Sequence, residues 1–341
     1  MPCPYSSFED GQVIKVALLV RETNKKQEKD DFMNENKKKI DWSEGRWKEM
    51  LVDQRKFMWH KDTIDKLSLW LELRPGMTAV DVGCGLGNLG YTYWTYFGKG
   101  GRYLGVDVSE ELVREAADAA KEWAVGGEAK FMVGDAYKLP FSDNFAYWVM
   151  CQTLLMHLEK PELALAEMIR VAEPGGLIMC NEPDNLSVML IKPYWSMPEL
   201  DIEEELLIKK VHLICHKGHI KLGRGDNSIG SKVPAMMKKL GLIGIDTRMN
   251  DKVHFLIPPY EDPKQQQLLK MIKKTQLDEH EFWMERTEEE FLAGGGNPEE
   301  YERFREISER LKPILQQQIE EGKYTACGPS FFYVIKGRKP K

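Results

Sequence analysis

The stretch from Met77 to Gly90, Met-Thr-Ala-Val-Asp-Val-Gly-Cys-Gly-Leu-Gly-Asn-Leu-Gly, limits what this chain can fold into more than any other. Thr78 to Val82 is apolar and β-branched, bounded by Pro75-Gly76 and by glycines, and reads as a short buried strand. Gly83, Gly85 and Gly87 then alternate with other residues before a helical pattern begins. Side chains at those positions would block a sharp turn and hold the backbone away from a ligand. The spacing therefore predicts a loop lying against a nucleotide, with helix amides facing it.

Which nucleotide is a separate matter. Gly85-Leu-Gly-Asn-Leu-Gly90 matches the dinucleotide pattern G-x-G-x-x-G, but starts late relative to the strand. Asp81 separates the readings, because it stands at the strand end where the ligand would lie. A carboxylate there suits the ammonium and sulfonium of S-adenosylmethionine and would repel a dinucleotide pyrophosphate.

The following segments keep an alternating α/β plan. Arg102 to Asp107 is a second apolar strand ending in an acid, where a ribose diol is held by a carboxylate in either nucleotide reading. Ser109-Glu-Glu opens a helix with an N-cap and acids in its first turn. Lys130 to Ala136 is a third strand, Phe145 to Gln152 a fourth and Gly175 to Glu182 a fifth, with a helix from Pro161 to Val171 before the last.

In order, these motifs resemble the class I S-adenosylmethionine-dependent methyltransferases. Val80-Asp-Val-Gly-Cys-Gly-Leu-Gly87 is similar to the family's first motif and Gly105-Val-Asp107 to its acidic second-strand end. Gly134-Asp-Ala-Tyr-Lys-Leu-Pro-Phe141 is similar to its adenine-side motif, and Val149 to Leu158 to the fourth strand and its loop. Arg170-Val-Ala-Glu-Pro-Gly-Gly176 is similar to the turn before strand five. The resemblance covers Pro75 to Asn185 and names no acceptor.

It implies a Rossmann-like, doubly wound sheet of seven strands ordered 3-2-1-4-5-7-6, with an antiparallel last strand. It further implies that Asp81 and the amides around Gly83, Gly85 and Gly87 hold the methionine part. Asp107 would bind the ribose hydroxyls, Asp135 the adenine amine with Ala136 offering its amide, and Gln152 would lie near the sulfonium. The cofactor implied is S-adenosyl-L-methionine, with S-adenosyl-L-homocysteine as product.

Around this core the expected organisation is an N-terminal helical region or cap over 1–75, the core over 76–184 and a cap insertion over 185–225. The core continues over 226–250, a helical cap insertion covers 251–325, and the last strand and tail occupy 326–341. Trp42, Trp47, Met50, Leu51, Phe57, Met58, Trp59, Ile64, Leu67 and Leu71 recur at helical spacing. A helix is expected from Pro198 to Ile214, followed by the separate segment Cys215-His-Lys-Gly-His219. Two long insertions near strand ends suggest a lid for the acceptor.

Composition narrows the partners. A net charge of −6 offers no basic field for phosphate backbones, which disfavours nucleic acid. The six cysteines show no C-x-x-C pair, which fits a reducing cytoplasm. Val13 to Val20 is too short for a membrane span. Cys215, His216 and His219, and likewise Cys151 and Cys180, lack the paired spacing of a structural zinc site, so no metal is expected. Thiol chemistry at Cys151, Cys180 and Cys327, as in arsenic methylation on this fold, is weighed against their being small buried apolar residues, and packing is preferred.

His157, after strand four, is the candidate general base, set against a packing or capping histidine. Glu182, Tyr194, Trp195 and His254 are the substrate-side candidates, and Asp184 is expected to face the same cleft. The acceptor is expected to be a small molecule. Methylation of protein or RNA, a nicotinamide-dependent oxidoreductase and a non-catalytic binding protein are the alternatives, and the oligomeric state is open.

Overall fold

In the computed structural model the described residues are 59–123, 126–191, 193–277 and 284–341. The expectations for Trp42, Trp47 and the rest of 1–58 lie outside them. Helix α1 (Lys61–Trp70) leads into β1 (Thr78–Val82), the glycine turn and α2 (Asn88–Phe97). There follow β2 (Arg102–Asp107), α3 (Glu110–Ala119), β3 (Glu128–Val133), β4 (Ala146–Gln152), α4 (Pro161–Val171) and β5 (Ala172–Pro183). The segment after β5 carries α5 (Asn185–Leu190), β6 (Tyr194–Trp195), α6 (Ile202–Lys221), α7 (Val233–Lys239), β7 (Ile243–Met249) and β8 (Val253–Leu256). The chain then runs through α8 (Pro263–Ile272), α9 (Met284–Ala293), α10 (Pro298–Glu320), β9 (Ala326–Pro329) and β10 (Phe332–Arg338).

Seven strands form one sheet in the order β3-β2-β1-β4-β5-β10-β7. Counted along the core this is 3-2-1-4-5-7-6, as the sequence motifs imply. β10 runs antiparallel to both β5 and β7, whereas β1 to β5 pair in parallel.

Central strands are buried on both faces, which is why they read as continuous apolar runs rather than alternating ones. Val80, Val82, Val149, Cys151, Ile178 and Cys180 pack on one side with Leu165 and Met168 of α4 and Met237 of α7. Ala79, Trp148, Met150, Leu177 and Met179 pack on the other with Ile64 and Leu67 of α1 and Tyr93 and Phe97 of α2. Trp148 is fully enclosed there and meets the Tyr93 and Phe97 rings edge-on, with centroids 5.6 and 5.5 Å away.

Trp70 anchors the end of α1 to the far edge of the sheet. Its indole N–H donates to Asp246 Oδ2 at 2.7 Å, and its backbone oxygen accepts from Lys336 Nζ at 2.6 Å. Arg248 and Lys336 lie 4.8 and 4.5 Å from its ring centre, each a cation–π contact of about 0.5–1 kcal/mol at such a site.

The insertions build a second layer. α6 packs on α9 and α10 through Leu207, Val211, Cys215, Phe291, Tyr301 and Ile307. One expectation is corrected here: α6 starts at Ile202, where the Asp201 side chain caps the Glu204 amide, and continues to Lys221, so Cys215 to His219 is helical. Gly218 lies inside the helix, at a crossing point. A Cβ there would lie 1.7 Å from the backbone oxygen of Glu290 in α9. This layer also contains a sheet that the helical reading of the insertions did not foresee, β6-β9-β8. Its covered side rests on α10 through Leu256, Leu315, Ile319 and Tyr324.

Candidate functional site

The glycine turn is held against the second strand by its own backbone. The amides of Gly83 and Cys84 both donate to Val106 O, at 2.8 and 3.0 Å. The amide of Gly85 donates to Asp107 Oδ2 at 2.8 Å. Gly83, Gly85 and Gly87 have φ of 69°, 51° and 76°, which side chains rarely adopt. Space is also short, since a Cβ on Gly83 would stand 2.8 Å from Leu154 and one on Gly87 2.9 Å from Phe131. No side chain caps α2, so its N-terminus presents backbone amides.

Two carboxylates adjoin this turn, and a third follows the end of β3. Asp81 is buried at the end of β1, and its Oδ2 accepts from the Tyr103 hydroxyl at 2.7 Å. Asp107 ends β2, and its Oδ1 accepts from the Ser109 amide at 3.0 Å. Asp135 is exposed and closes a turn by accepting from the Tyr137 amide at 2.9 Å, with Ala136 half-buried beside it. The sequence reading missed two residues here. Val108 and Val133 are 78% and 52% exposed, and Val133 is in register with Asp107. Their only sequence signal is an apolar residue directly after Asp107 and two positions before Asp135.

The other wall comes from β4 and β5; the strand order reverses between β1 and β4, which makes the crevice where open α/β sheets bind ligands. Gln152 is buried, and its Oε1 accepts from Asn181 Nδ2 at 3.0 Å. Asn181, also missed, has its Oδ1 enclosed with no hydrogen-bond partner. His157 ends the short 3-10 turn Leu155–His157 that follows β4.

A family model for a methyltransferase domain matches residues 73–275 of this chain. The chain belongs to that methyltransferase-domain family. An uncharacterized methyltransferase of Schizosaccharomyces pombe is 38% identical over 113 residues, 32% of this chain and 40% of that protein. The demethylmenaquinone methyltransferase of Staphylococcus aureus is 31% identical over 142 residues, 41% of this chain and 57% of that protein. The chain thus spans about half the length of the curated relatives it matches. The solved YcgJ protein of Bacillus subtilis is 16% identical, with a TM-score of 0.46, covering 83% of this chain and 100% of that one.

In this methyltransferase domain the structure brings Asp81, Gly83, Gly85, Gly87, Asp107, Asp135, Ala136 and Gln152 to the C-terminal edge of the parallel strands. Glu182 departs from expectation. It has no exposed surface, and its carboxylate is occupied by the amides of Leu154, Leu155 and Met156 instead of facing the cleft. It points under the β4 loop because it shares a face of β5 with the core residue Cys180. Asp184 is likewise spent as the N-cap of α5, bonding the amide and hydroxyl of Ser187.

Tyr194, Trp195 and His254 lie together on the second sheet. Tyr194 and Phe255 both face Cys327 across β9, and His254 is in register with Gly328. Burial, with Lys252 nearby, lowers the His254 pKa and keeps the ring neutral at ordinary pH. His216 and His219 bond to Asn227 and Glu290 respectively. No described helix is long and apolar enough to cross a membrane.

Tyr103 contributes to the site through Asp81. In a Tyr103→Phe variant the carboxylate loses one hydrogen bond of about 1–2 kcal/mol, and affinity for a cationic ligand at Asp81 is expected to fall about three- to tenfold. Titration calorimetry checks this, and unchanged affinity would show that Tyr103 only packs.

Proposed function

We propose that the chain is an S-adenosylmethionine-dependent methyltransferase acting on a small-molecule acceptor. The observation that supports this best is the buried Asp81 under a glycine turn whose Gly85 amide is tied to Asp107. A buried carboxylate at that point favours the ammonium and sulfonium of the cofactor and disfavours the pyrophosphate of a nicotinamide dinucleotide.

In this reading Asp81 and the amides around Gly83, Gly85 and Gly87 bind the methionine part of the cofactor. Asp107 takes the ribose hydroxyls through its remaining lone pairs. Asp135 and the Ala136 amide take the adenine edge, while Val108 and Val133 give its ring an apolar surface. Gln152, steadied by Asn181, stands by the sulfonium. S-adenosylmethionine supplies an activated methyl group that passes in line from sulfur to the acceptor's lone pair.

Most of the rate then comes from positioning and from keeping water out. His157 serves as base only for an acceptor that must lose a proton. The segments 185–225 and 251–325 act as the cap over the core 76–184 and 226–250, with 326–341 supplying the last strand, whereas α1, which was expected to belong to the cap, packs on a face of the sheet beside α2. Tyr194, Trp195 and His254 contribute to acceptor binding from that cap. The name of the Staphylococcus aureus relative gives a small-molecule acceptor, which supports the same class here. The described cysteines are thiols, which agrees with a cytoplasmic setting.

Calorimetric titration with S-adenosylmethionine, S-adenosylhomocysteine and NADH tests the reading. Micromolar binding of both adenosyl ligands without NADH binding is expected; tight NADH binding, or no adenosyl binding, would sink it. A panel of quinol, sterol, amine and thiol acceptors assayed with labelled cofactor then separates small-molecule transfer from transfer to protein or RNA.

A further inference from the structure

The proposed reaction leaves Glu182 unused, yet it is a fully buried carboxylate under the loop that leads to the candidate base. Its Oε1 accepts from the amides of Leu154 and Leu155 at 3.0 and 2.9 Å, and its Oε2 from the amide of Met156 at 3.3 Å. The Cys151 thiol reaches Oε1 at 3.7 Å. These amides belong to the loop that carries His157 and follows directly from Gln152.

The loop is a constrained piece of chain. Thr153 has a φ of 49°, unusual for a β-branched residue, and its amide is held by Asn181 O at 2.9 Å. On the opposite side Met156 O accepts from the Asp226 amide at 2.9 Å, and a Cβ on Gly225 would stand 2.1 Å from that same oxygen. The loop is therefore gripped between β5 and the turn after α6. Glu182 supplies the inner half of the grip.

We propose that Glu182 is a positioning residue whose ionised carboxylate clamps residues 153–157, setting Gln152 and His157 for transfer, so that the reaction requires it deprotonated. This rests on the methyltransferase reading above. The physical reason is the donor geometry: N–H groups converge on both oxygens. A proton on the carboxyl settles on Oε2, which has fewer donors, and there it confronts the Met156 amide. The bond next to His157 is the one displaced.

The groups facing Glu182 are mostly neutral or acidic. Cys151 of β4 and Cys180 of β5 are buried side chains, and the hydrogen bond with Cys180, then burial, raises the Cys151 pKa well above its usual value. Tyr333 of β10 is in register with Glu182, and Asp81 of β1 lies beyond Cys151. The turn after α6 brings Asp226, which is paired with Lys232. Burial raises the Glu182 carboxyl to about 7, against the opposing pull of the three amides and the Cys151 thiol.

The sign for folding is opposite to that for the loop. A carboxyl whose folded pKa exceeds its unfolded value adds stability in its protonated form. That contribution is full below about 4.5 and lost as pH rises through about 7. The clamp tightens over the same range.

The test is amide hydrogen exchange of the full chain, corrected for intrinsic rates, with steady-state methyl transfer on wild type, Glu182→Gln, Glu182→Asp and His157→Asn. In wild type the protection of the Leu154, Leu155 and Met156 amides is expected to be about tenfold greater at pH 8 than at pH 6. The acid limb of kcat should have its midpoint near 7. Glu182→Gln should flatten both, lower kcat about tenfold and leave the cofactor KM within about twofold, because positioning rather than binding is lost. Glu182→Asp should restore part of the pH dependence. Protection equal at both pH values, or an acid limb that survives Glu182→Gln and vanishes in His157→Asn, would overturn the proposal. Adenosyl ligands that fail to bind while protection still follows pH would refute the methyltransferase reading and leave the clamp standing.

Discussion

Replacing Asp107 with alanine is expected to reduce affinity for S-adenosylmethionine and S-adenosylhomocysteine by about two to three orders of magnitude. Two effects add. In the proposed pose the ribose loses a charged acceptor for both hydroxyls, at about 1.5–3 kcal/mol per hydrogen bond to a charged group. The Gly85 amide also loses its partner at 2.8 Å, and the Ser109 amide its partner at 3.0 Å, so the turn is no longer tied to β2. Asp107→Asn separates the two, because its amide oxygen can still accept from Gly85 while the negative charge is gone. An intermediate loss in Asp107→Asn, with a melting temperature close to wild type, is the outcome that agrees. Calorimetric affinities within about threefold of wild type in Asp107→Ala would remove Asp107 from the ribose site.

The second large effect is expected where α6 crosses α9. Gly218 and Gly294 let the two helices meet backbone to backbone: a Cβ on Gly218 would lie 1.7 Å from Glu290 O, and one on Gly294 2.1 Å from Ile214 O. Neither obstacle is a side chain that can swing aside. Gly218→Val is therefore expected to force the helices apart and destabilise this layer by about 3 kcal/mol or more. The neighbouring exposed Lys217→Val serves as a control, with little effect on melting.

Because these contacts lie within the inserted layer, Gly218→Val should uncouple two activities. If the inserted layer is the proposed cap, cofactor affinity stays within about twofold of wild type while turnover falls at least tenfold, the expected result of an acceptor left open to water. Full turnover in a variant with a lowered melting temperature would show that this layer does not cover the acceptor. Loss of cofactor binding in the same variant would show that core and insertions fold as one cooperative unit.

Much of the core was legible in residue order because its determinants are local. An apolar run such as Thr78–Val82 must bury both faces, and alternating glycines after it permit only a sharp turn. An acid at each strand end then marks the edge where ligands gather. Glu182 shows where such reading stops. From sequence it is an acid at the end of a strand, like Asp81 and Asp107. Which way it points depends on the parity of β5, and that parity places it with Cys180 in the core, beneath the loop it holds. Asn181, one position earlier, falls on the opposite face beside Gln152.

The insertions were less legible for a related reason. The expected helix ended at Ile214, and only the contact of Gly218 with Glu290 shows why a glycine sits inside its continuation. Tyr194–Trp195, Val253–Leu256 and Ala326–Pro329 are too short to announce themselves as strands, and their partners are far away in sequence. By itself, then, the sequence determined the parallel core, the order of its motifs and the carboxylates around the glycine turn, since each follows from local pattern and backbone sterics. Tertiary structure alone decided the facing of Glu182, the pairing of Asn181 with Gln152, the crossing at Gly218 and the second sheet. Each of these depends on which distant backbone comes within a few ångströms, and no local preference encodes that.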